Sequence, residues 1–392
     1  MRALIVENGA ARGALAAARA LHSCGWMVGT GTPTARGLTS ASRVVSRRHH
    51  VPAPEAGQDA FIEAVNGAIS DCGYQVVFGS GDAEALALSG WRDEIDAVVP
   101  YAAHADVVRA HDKLELARAS GRAGLPTPAT SEATERELAR WRPPYLVKAS
   151  LHAPLSDDDG PARLNAMIVD DPAVAARRAT EIRAAGSVPF LQELVRGQLM
   201  AYGLVADRAG QIVAGVAQQA EATWPLDIGV STRARTVKLD PTLREGIAAL
   251  LRELGWFGLA QLQFLVPADR QPRLIDLNGR FYGSLALAVA AGPNLPAIWA
   301  SLATDRTPPP SEDPLDGLRF QWMEGDLRRA VAERRGGITR DVWSCLGYSR
   351  GAVHCVWSPR DPLPSVRGIA ILPRRTIKRG LQSLRPAAGV GA

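Results

Sequence analysis

The first hundred residues of this 392-residue chain alternate short apolar runs with Ala-rich stretches of helical period. No other feature limits the fold as much. Residues 4–6, 26–31 and 76–79 read as strands, and 11–24, 60–72 and 82–90 as helices, the first two closed by Gly25 and Gly73. Strands alternating with helices build parallel βαβ units, whose ligands sit at the carboxyl ends of the strands. The loop Glu7-Asn8-Gly9-Ala10-Ala11-Arg12-Gly13 follows the first strand but lacks the G-x-G-x-x-G spacing of a dinucleotide fingerprint. An NAD site is not expected there.

Beyond Asp112 the pattern changes. Residues 112–120 read as a helix, 144–149 as a strand carrying Lys148, and 150–163 as a loop rich in Pro, Asp and Gly. A helix at 174–185 and strands at 189–195, 200–206 and 211–218 follow, then a helix at 243–254. Residues 258–266 and 272–278 read as an antiparallel pair joined by Pro267-Ala268-Asp269-Arg270-Gln271. Runs of strands after a βαβ half indicate a second unit of α+β type. Thr307-Pro308-Pro309-Pro310-Ser311 reads as a linker, and residues 318–392 as a small tail module.

Composition excludes several classes. With 46% apolar and 22% charged residues, the chain is neither mainly disordered nor collagen-like. Its longest apolar stretch, residues 285–300, is broken by Gly292, Pro293 and Pro296, so no membrane span is expected. The N-terminal apolar run is too short for a signal peptide, which points to the cytoplasm. The net charge of +5 comes from 45 basic and 40 acidic residues, mostly interspersed. The one basic concentration, Arg374-Arg375-Thr376-Ile377-Lys378-Arg379, reads as a solvated helix or tail, so nucleic acid is not expected. Cys24, Cys72, Cys345 and Cys355 lack metal-ligand spacing and read as buried free thiols. Only four lysines, 113, 148, 238 and 378, stand among the basic residues, which draws attention to each of them.

Chemistry concentrates at the end of the last hairpin, Leu274-Ile275-Asp276-Leu277-Asn278-Gly279-Arg280-Phe281-Tyr282-Gly283-Ser284. Alternation puts Asp276, Asn278 and Arg280 on one face of an extended strand, with Ile275 and Leu277 on the other. A carboxylate and an amide oxygen two residues apart suit Mg²⁺, and Gln263 on the paired strand adds another oxygen. The fork of Arg280 suits a phosphoryl group. A polar strand face in solvent is the competing reading. Arg233 and Arg235, two apart on a strand, read either as a clamp for a substrate carboxylate or as a solvated edge. His49-His50 reads as a surface loop and His111 as a structural histidine; Ser80, Ser231 and Ser284 have no His partner for a hydrolase triad.

The hairpin end resembles the closing metal motif of the ATP-grasp superfamily, most of all the carbamoyl-phosphate-synthase-type carboxylate–amine ligases, in which an acidic residue, x, Asn, Pro and Arg follow one another. Three further stretches resemble the same family in order: Asp112-Lys113 ahead of Gly124-Leu125-Pro126-Thr127-Pro128, the strand Pro144-Tyr145-Leu146-Val147-Lys148, and the hinge Leu191-Gln192-Glu193-Leu194-Val195-Arg196-Gly197. The resemblance spans residues 1–305. It implies a βαβ N-terminal (pre-ATP-grasp) domain over 1–110, a two-lobed ATP-grasp core over 111–305 (lobes about 111–190 and 191–305), and a linker and C-terminal module over 306–392.

The same resemblance implies ATP and Mg²⁺ as cofactors. Lys113 and Lys148 would contact phosphates, while Gln192, Glu193, Leu194 and Val195 would line the adenine site, Glu193 and the backbone of Leu194 and Val195 reading the base. Gln263, Asp276 and Asn278 would hold the metal, and Arg280 with Lys148 would serve catalysis. Arg233, Arg235 and Ser284 are the expected substrate contacts. The implied reaction is ADP-forming ligation of a small carboxylate and a small amine through an acylphosphate, in a protein with a homodimer among its expected assemblies. Arg360-Asp361-Pro362-Leu363-Pro364 resembles a segment of these ligases and suggests that the tail packs back on the core. Met200 stands where relatives place a ribose-binding carboxylate, and residues 149–163 hold Asp157, Asp158, Asp159 and a single Gly160 where relatives are glycine-rich. These two departures favour an alternative, a degenerate ATP-grasp protein that binds a nucleotide or small ligand without ligation.

Overall fold

The computed structural model describes residues 1–34, 37–151, 154–155, 162–163, 166–225, 229–268, 271–334 and 336–368, with backbone alone at 154–155 and 162–163. The aspartates 157–159, Gly160 and the basic run 374–379 lie outside the described residues. Five elements, β1 (Arg2–Val6), α1 (Arg12–Ser23), β2 (Met27–Thr32), β3 (Val45–His50) and α2 (Gln58–Cys72), lead into β4 (Val76–Gly79) and α3 (Asp82–Gly90). The four strands form a parallel sheet in the order β3-β2-β1-β4. β1 lies inside it, and Ala3, Leu4, Ile5 and Val6 are buried from both sides, as expected for a strand covered on two faces. β3 was not apparent in the sequence. It is an edge strand whose pattern is mostly exposed, so few of its positions must be apolar. His49, expected in a loop, lies in β3 with Nε2 2.8 Å from the Tyr74 hydroxyl.

α4 (His104–His111) leads into α5 (Lys113–Arg122). Asp112 caps α5, its Oδ1 accepting from Leu114 N at 2.8 Å and Glu115 N at 3.1 Å, the usual role of an Asp at that position. Then come β5 (Thr130–Glu132), α6 (Glu135–Arg140), β6 (Tyr145–Ala149), β7 (Pro154–Leu155), β8 (Ala162–Arg163), β9 (Met167–Val169), α7 (Pro172–Ala184) and β10 (Pro189–Glu193). β7 pairs with β8, while the others form an antiparallel sheet in the order β5-β10-β6-β9. Tyr145, Val147, Ala149, Val169 and Leu191 bury one face of it against Ala175, Ala179 and Ile182 of α7. By strand alternation the other face carries Leu146, Lys148 and Gln192.

The largest sheet takes β11 (Gln198–Ala206), β12 (Ile212–Trp224) and β13 (Val230–Val237), then, after α8 (Pro241–Glu253), β14 (Gly258–Val266) and β15 (Arg273–Asn278). Past α9 (Leu285–Ala290) and α10 (Leu295–Ala303) it gains β16 (Arg319–Gln321), and past α11 (Met323–Glu333) and α12 (Ile338–Ser349) it gains β17 (Val353–His354). The order is β15-β14-β11-β12-β13-β16-β17. The tail, read from sequence as a small module packing back on the core, extends the large sheet with β16 and β17. One hydrophobic core joins the parallel sheet to the large sheet.

Asp361 pins the tail to the first sheet's helix. It is 3% exposed and accepts from Arg19 Nε at 2.9 Å, Ser42 Oγ at 2.5 Å and Arg43 N at 3.0 Å. These donors hold its carboxyl below the usual carboxylate range against the opposing effect of burial. The packing-back expected for this segment is therefore made by its aspartate. The cysteines are free, with Cys345 and Cys355 buried, but Cys24 is exposed, contrary to expectation. Among the described residues no helix is long and apolar enough to cross a membrane.

Candidate functional site

The β14–β15 ladder sets Gln263 opposite Asp276 and Gln261 opposite Asn278. Cross-strand partners share a face, so four oxygen-bearing side chains stand together at the sheet's edge. Gln261 is held from behind, with the Ser284 hydroxyl accepting from Gln261 Nε2 at 3.3 Å and from Gln218 Nε2 at 2.8 Å. Gln263 Nε2 donates to Gln261 Oε1 at 3.5 Å. The donor set of one carboxylate and neighbouring amide oxygens fits a hard cation that keeps several waters, as Mg²⁺ does. Among the described residues no three His, Cys, Asp or Glu gather as an all-protein metal cage.

Of the two lysines singled out by sequence, Lys148 lies on the smaller sheet and Lys113 opens α5. Lys148 on β6 donates to Gln192 Oε1 at 2.6 Å, and Gln192 in turn donates to Thr130 Oγ1 at 3.2 Å. The backbone N–H of Lys113 donates to Ser150 O at 3.0 Å, tying the start of α5 to the end of β6. Burial, reinforced by the Lys113 charge and opposed by Asp276, brings the Lys148 pKa down to about 8. The Lys113 and Asp276 charges both act on Lys148, in opposite directions.

Arg280 closes the far side. Its Nε donates to Asp82 Oδ1 at 2.6 Å, while Nη2 reaches Asp82 Oδ2 at 3.4 Å and Asn278 Oδ1 at 3.0 Å. Asp82 opens α3 at the carboxyl end of β4, where a parallel sheet presents its ligand-facing loops. The carboxyl of Asp82 is held well below its ordinary range by Arg280 and His111 although burial opposes this. Separating such a pair leaves a buried charge uncompensated, at a cost of about 3–5 kcal/mol. His111 Nε2 lies 3.6 Å from Asp82 Oδ1, and Nδ1 lies 2.8 Å from the Val107 carbonyl. Sequence reading missed Asp82; its one signal is its place just after a parallel strand. Gly279, where the family pattern has Pro, has no room for a side chain, since a Cβ there would meet Trp256 at 2.2 Å.

Several expected contacts are placed differently. Glu193 pairs with Tyr145 and shares the helix-covered face. Its carboxylate accepts from Arg273 Nη1 at 2.7 Å and Ala129 N at 3.1 Å. The Val195 N–H returns to the Glu193 carbonyl at 3.1 Å, leaving Leu194 as the hinge residue between them. Arg233 is consumed structurally: Nε donates to the fully buried Asp326 at 2.7 Å, and the guanidinium lies 4.6 Å over the Tyr348 ring. Arg235 is half exposed, 3.7 Å from Glu221. Both sit on β13, three strands from β14, or about 14 Å at 4.7–4.9 Å per strand. They are not brought to the group around Asp276. Met200 pairs with Phe264, one step out of phase with Gln263, and alternation turns it to the opposite face.

A small antiparallel sheet carrying Lys148 and a large sheet carrying Gln263, Asp276 and Asn278, preceded by a parallel βαβ unit, is the arrangement of the ATP-grasp fold, and the chain has that fold. A family model described as ATP-grasp in the biosynthetic pathway with Ter operon matches residues 210–326. Among solved structures, the ADP complex of purK, N5-carboxyaminoimidazole ribonucleotide synthetase, superposes with a TM-score of 0.63 at 14% identity over 85% of this chain and 84% of that one. The N5-carboxyaminoimidazole synthetase from Staphylococcus aureus gives 0.62 at 11% identity over 85% and 86%. The L-amino acid ligase from Bacillus licheniformis gives 0.56 at 14% identity over 81% and 75%. No curated protein sequence matches.

Proposed function

We propose that the chain is an ATP- and Mg²⁺-dependent ligase that joins a small carboxylate to a small amine through an acylphosphate, releasing ADP. The observation that carries this reading is the shared face of Gln263, Asp276 and Asn278 on the β14–β15 ladder, with Arg280 bonded to Asn278 beside them. In this reading the two lysines neutralise phosphate oxygens as compact charges, and the buried Gln192 orients Lys148. Gln263, Asp276 and Asn278 would hold Mg²⁺, which would bridge the phosphates and offset charge on the transferring group. Arg280 presents its guanidinium to that group. The relatives named for N5-carboxyaminoimidazole ribonucleotide and L-amino acid ligation support C–N bond formation as the class. The residue ranges 1–110, 111–305 and 306–392 are proposed as its functional divisions.

The test is incubation with Mg²⁺ATP and pooled amino acids, with ADP and AMP both measured. ADP and phosphate formed only with particular pools support the reading. AMP and pyrophosphate would replace it with adenylation, and absence of any ATP binding would leave the non-ligating alternative.

Lys148 adds a pH dependence. Its ammonium is charged below about pH 8 and neutral above it in the free protein. Phosphate binding favours the charged form, so affinity for Mg²⁺ATP should fall by up to about tenfold per unit as pH rises above 8. Lys148→Arg, charged throughout, should flatten that decline in calorimetric titrations between pH 7 and 9.5. An equally steep decline in the Arg variant would remove Lys148 from the phosphate site.

A further inference from the structure

We propose that Asp82, contributed by the N-terminal parallel sheet, is a positioning residue that aims Arg280 at the terminal phosphoryl group and so gives the cleft its preference for a nucleoside triphosphate over the diphosphate. The inference rests on the ligase reading of the cleft and assigns it a residue that lies outside both of its lobes.

The geometry fixes the arginine closely. Asp82 takes the Nε edge at 2.6 Å and reaches Nη2 at 3.4 Å, Asn278 takes Nη2 at 3.0 Å, and the Phe281 carbonyl lies 3.4 Å from Nη1. Four of the five guanidinium N–H groups therefore have acceptors. Among the described residues the remaining one, on Nη1, has no acceptor, and it is the one left for a ligand oxygen. A planar fork held along one edge by a carboxylate cannot swing, so its free edge points in one direction. The two side chains are only 16% and 18% exposed, and water competes weakly for either.

Asp82 is itself fixed from two sides. It is the first residue of α3, whose N-terminus favours a carboxylate. His111 stands 3.6 Å from Oδ1, anchored by its own contact with the Val107 carbonyl. His111 precedes Asp112, the cap of the helix that begins at Lys113. The parallel sheet thus supports both the arginine and the start of the helix that carries one phosphate-facing lysine. Asp82 points to Arg280 and not to the space between the sheets, so its action on a ligand passes through the arginine.

The experiment compares Mg²⁺ADP with the Mg²⁺ complex of the non-hydrolysable analogue AMP-PNP by calorimetry. Wild type, Asp82→Asn, Asp82→Glu and Arg280→Lys are used, together with the two double variants that combine Arg280→Lys with each Asp82 change. The readout is the ratio of the two affinities. Asp82→Asn keeps the shape but loses the charge, and it should lower the triphosphate preference at least fivefold with Mg²⁺ADP affinity within twofold of wild type. Asp82→Glu keeps the charge and displaces it by one methylene; it should lower the ratio too, which keeps the test alive if the Asn variant does not fold. Neither change should matter in the Arg280→Lys background, because Asp82 acts through that guanidinium. Wild-type preference retained in both Asp82 variants, or lost equally with Arg280 replaced, would overturn the inference alone. A wild-type protein that binds neither nucleotide would overturn the ligase reading together with it.

Discussion

Asp276→Asn is expected to reduce ADP formation by about 100-fold or more while leaving the protein folded. Among Gln263, Asp276 and Asn278, only Asp276 carries a charge. Replacing it leaves three neutral amides to meet a divalent cation that dehydrates reluctantly and relies on carboxylate ligands. A 100-fold loss corresponds to about 2.7 kcal/mol of transition-state stabilisation, a modest figure for removing the one anion from such a set. The fold should tolerate the change, because Asp276 is partly exposed, and among the described residues its one hydrogen bond is accepted from the next backbone N–H, Leu277 N to Oδ1 at 3.1 Å. A second consequence concerns Lys148, whose charged form Asp276 favours. Without that carboxylate the Lys148 pKa moves further down, so the alkaline loss of nucleotide affinity should begin at lower pH than in wild type. Calorimetry with ATP in Mg²⁺ and in EDTA checks the metal assignment. Wild type should bind more tightly with Mg²⁺, and the variant should show little difference between the two. Undiminished turnover and an undiminished Mg²⁺ effect would place the metal elsewhere.

What the sequence disclosed depended on how local each signal was. Asp276 and Asn278 were legible because a two-residue period assigns a face to every strand position, and Gln263 because the hairpin brings it opposite Asp276. Lys113 and Lys148 were singled out by motif order and the scarcity of lysine. The parallel half was legible where its strands are buried on both sides, and β3 was not, since an edge strand with solvent on its flank carries Arg and His as readily as Val. Arg233 shows why charge spacing misleads. Nothing near it in sequence announces Asp326, 93 positions later, whose buried carboxylate takes its guanidinium. Asp82 is the converse case, an unremarked aspartate whose partner is 198 positions away. The salt bridge of Glu193 to Arg273, 80 positions later, was equally hidden. Local period and residue type carry faces and candidate ligands, whereas ion pairs between distant segments appear only once the sheets are assembled.

Trp299→Ala is expected to destabilise the protein by about 3–5 kcal/mol, the range for removing a large buried aromatic. Trp299 on α10 is fully buried, its ring centroid 4.7 Å from Phe78, 5.4 Å from Tyr101 and 5.5 Å from Phe281. Phe78 belongs to the parallel sheet, and Phe281 directly follows Arg280, so this aromatic knot binds the N-terminal unit to the segment that carries the arginine. Its indole N–H donates to the Pro100 carbonyl at 2.8 Å, and truncation would leave that carbonyl without its partner as well as opening a cavity. Gly258 records how tightly the ring is packed. It has φ +94°, a left-handed conformation favouring glycine, and a Cβ there would stand 2.3 Å from the indole nitrogen. Trp299→Phe keeps most of the apolar volume and loses the hydrogen bond, so it should cost less than half as much as the Ala change. Urea titrations followed by circular dichroism separate the two variants. Because the parallel sheet and the large sheet share one core, both should unfold in one transition whose midpoint moves lower. Nucleotide affinity of the Phe variant should stay near wild type if the knot serves to join the units. A shift below about 1 kcal/mol for the Ala variant would mean that the two units are held together by other contacts, and the aromatic cluster would then be no more than filler between them.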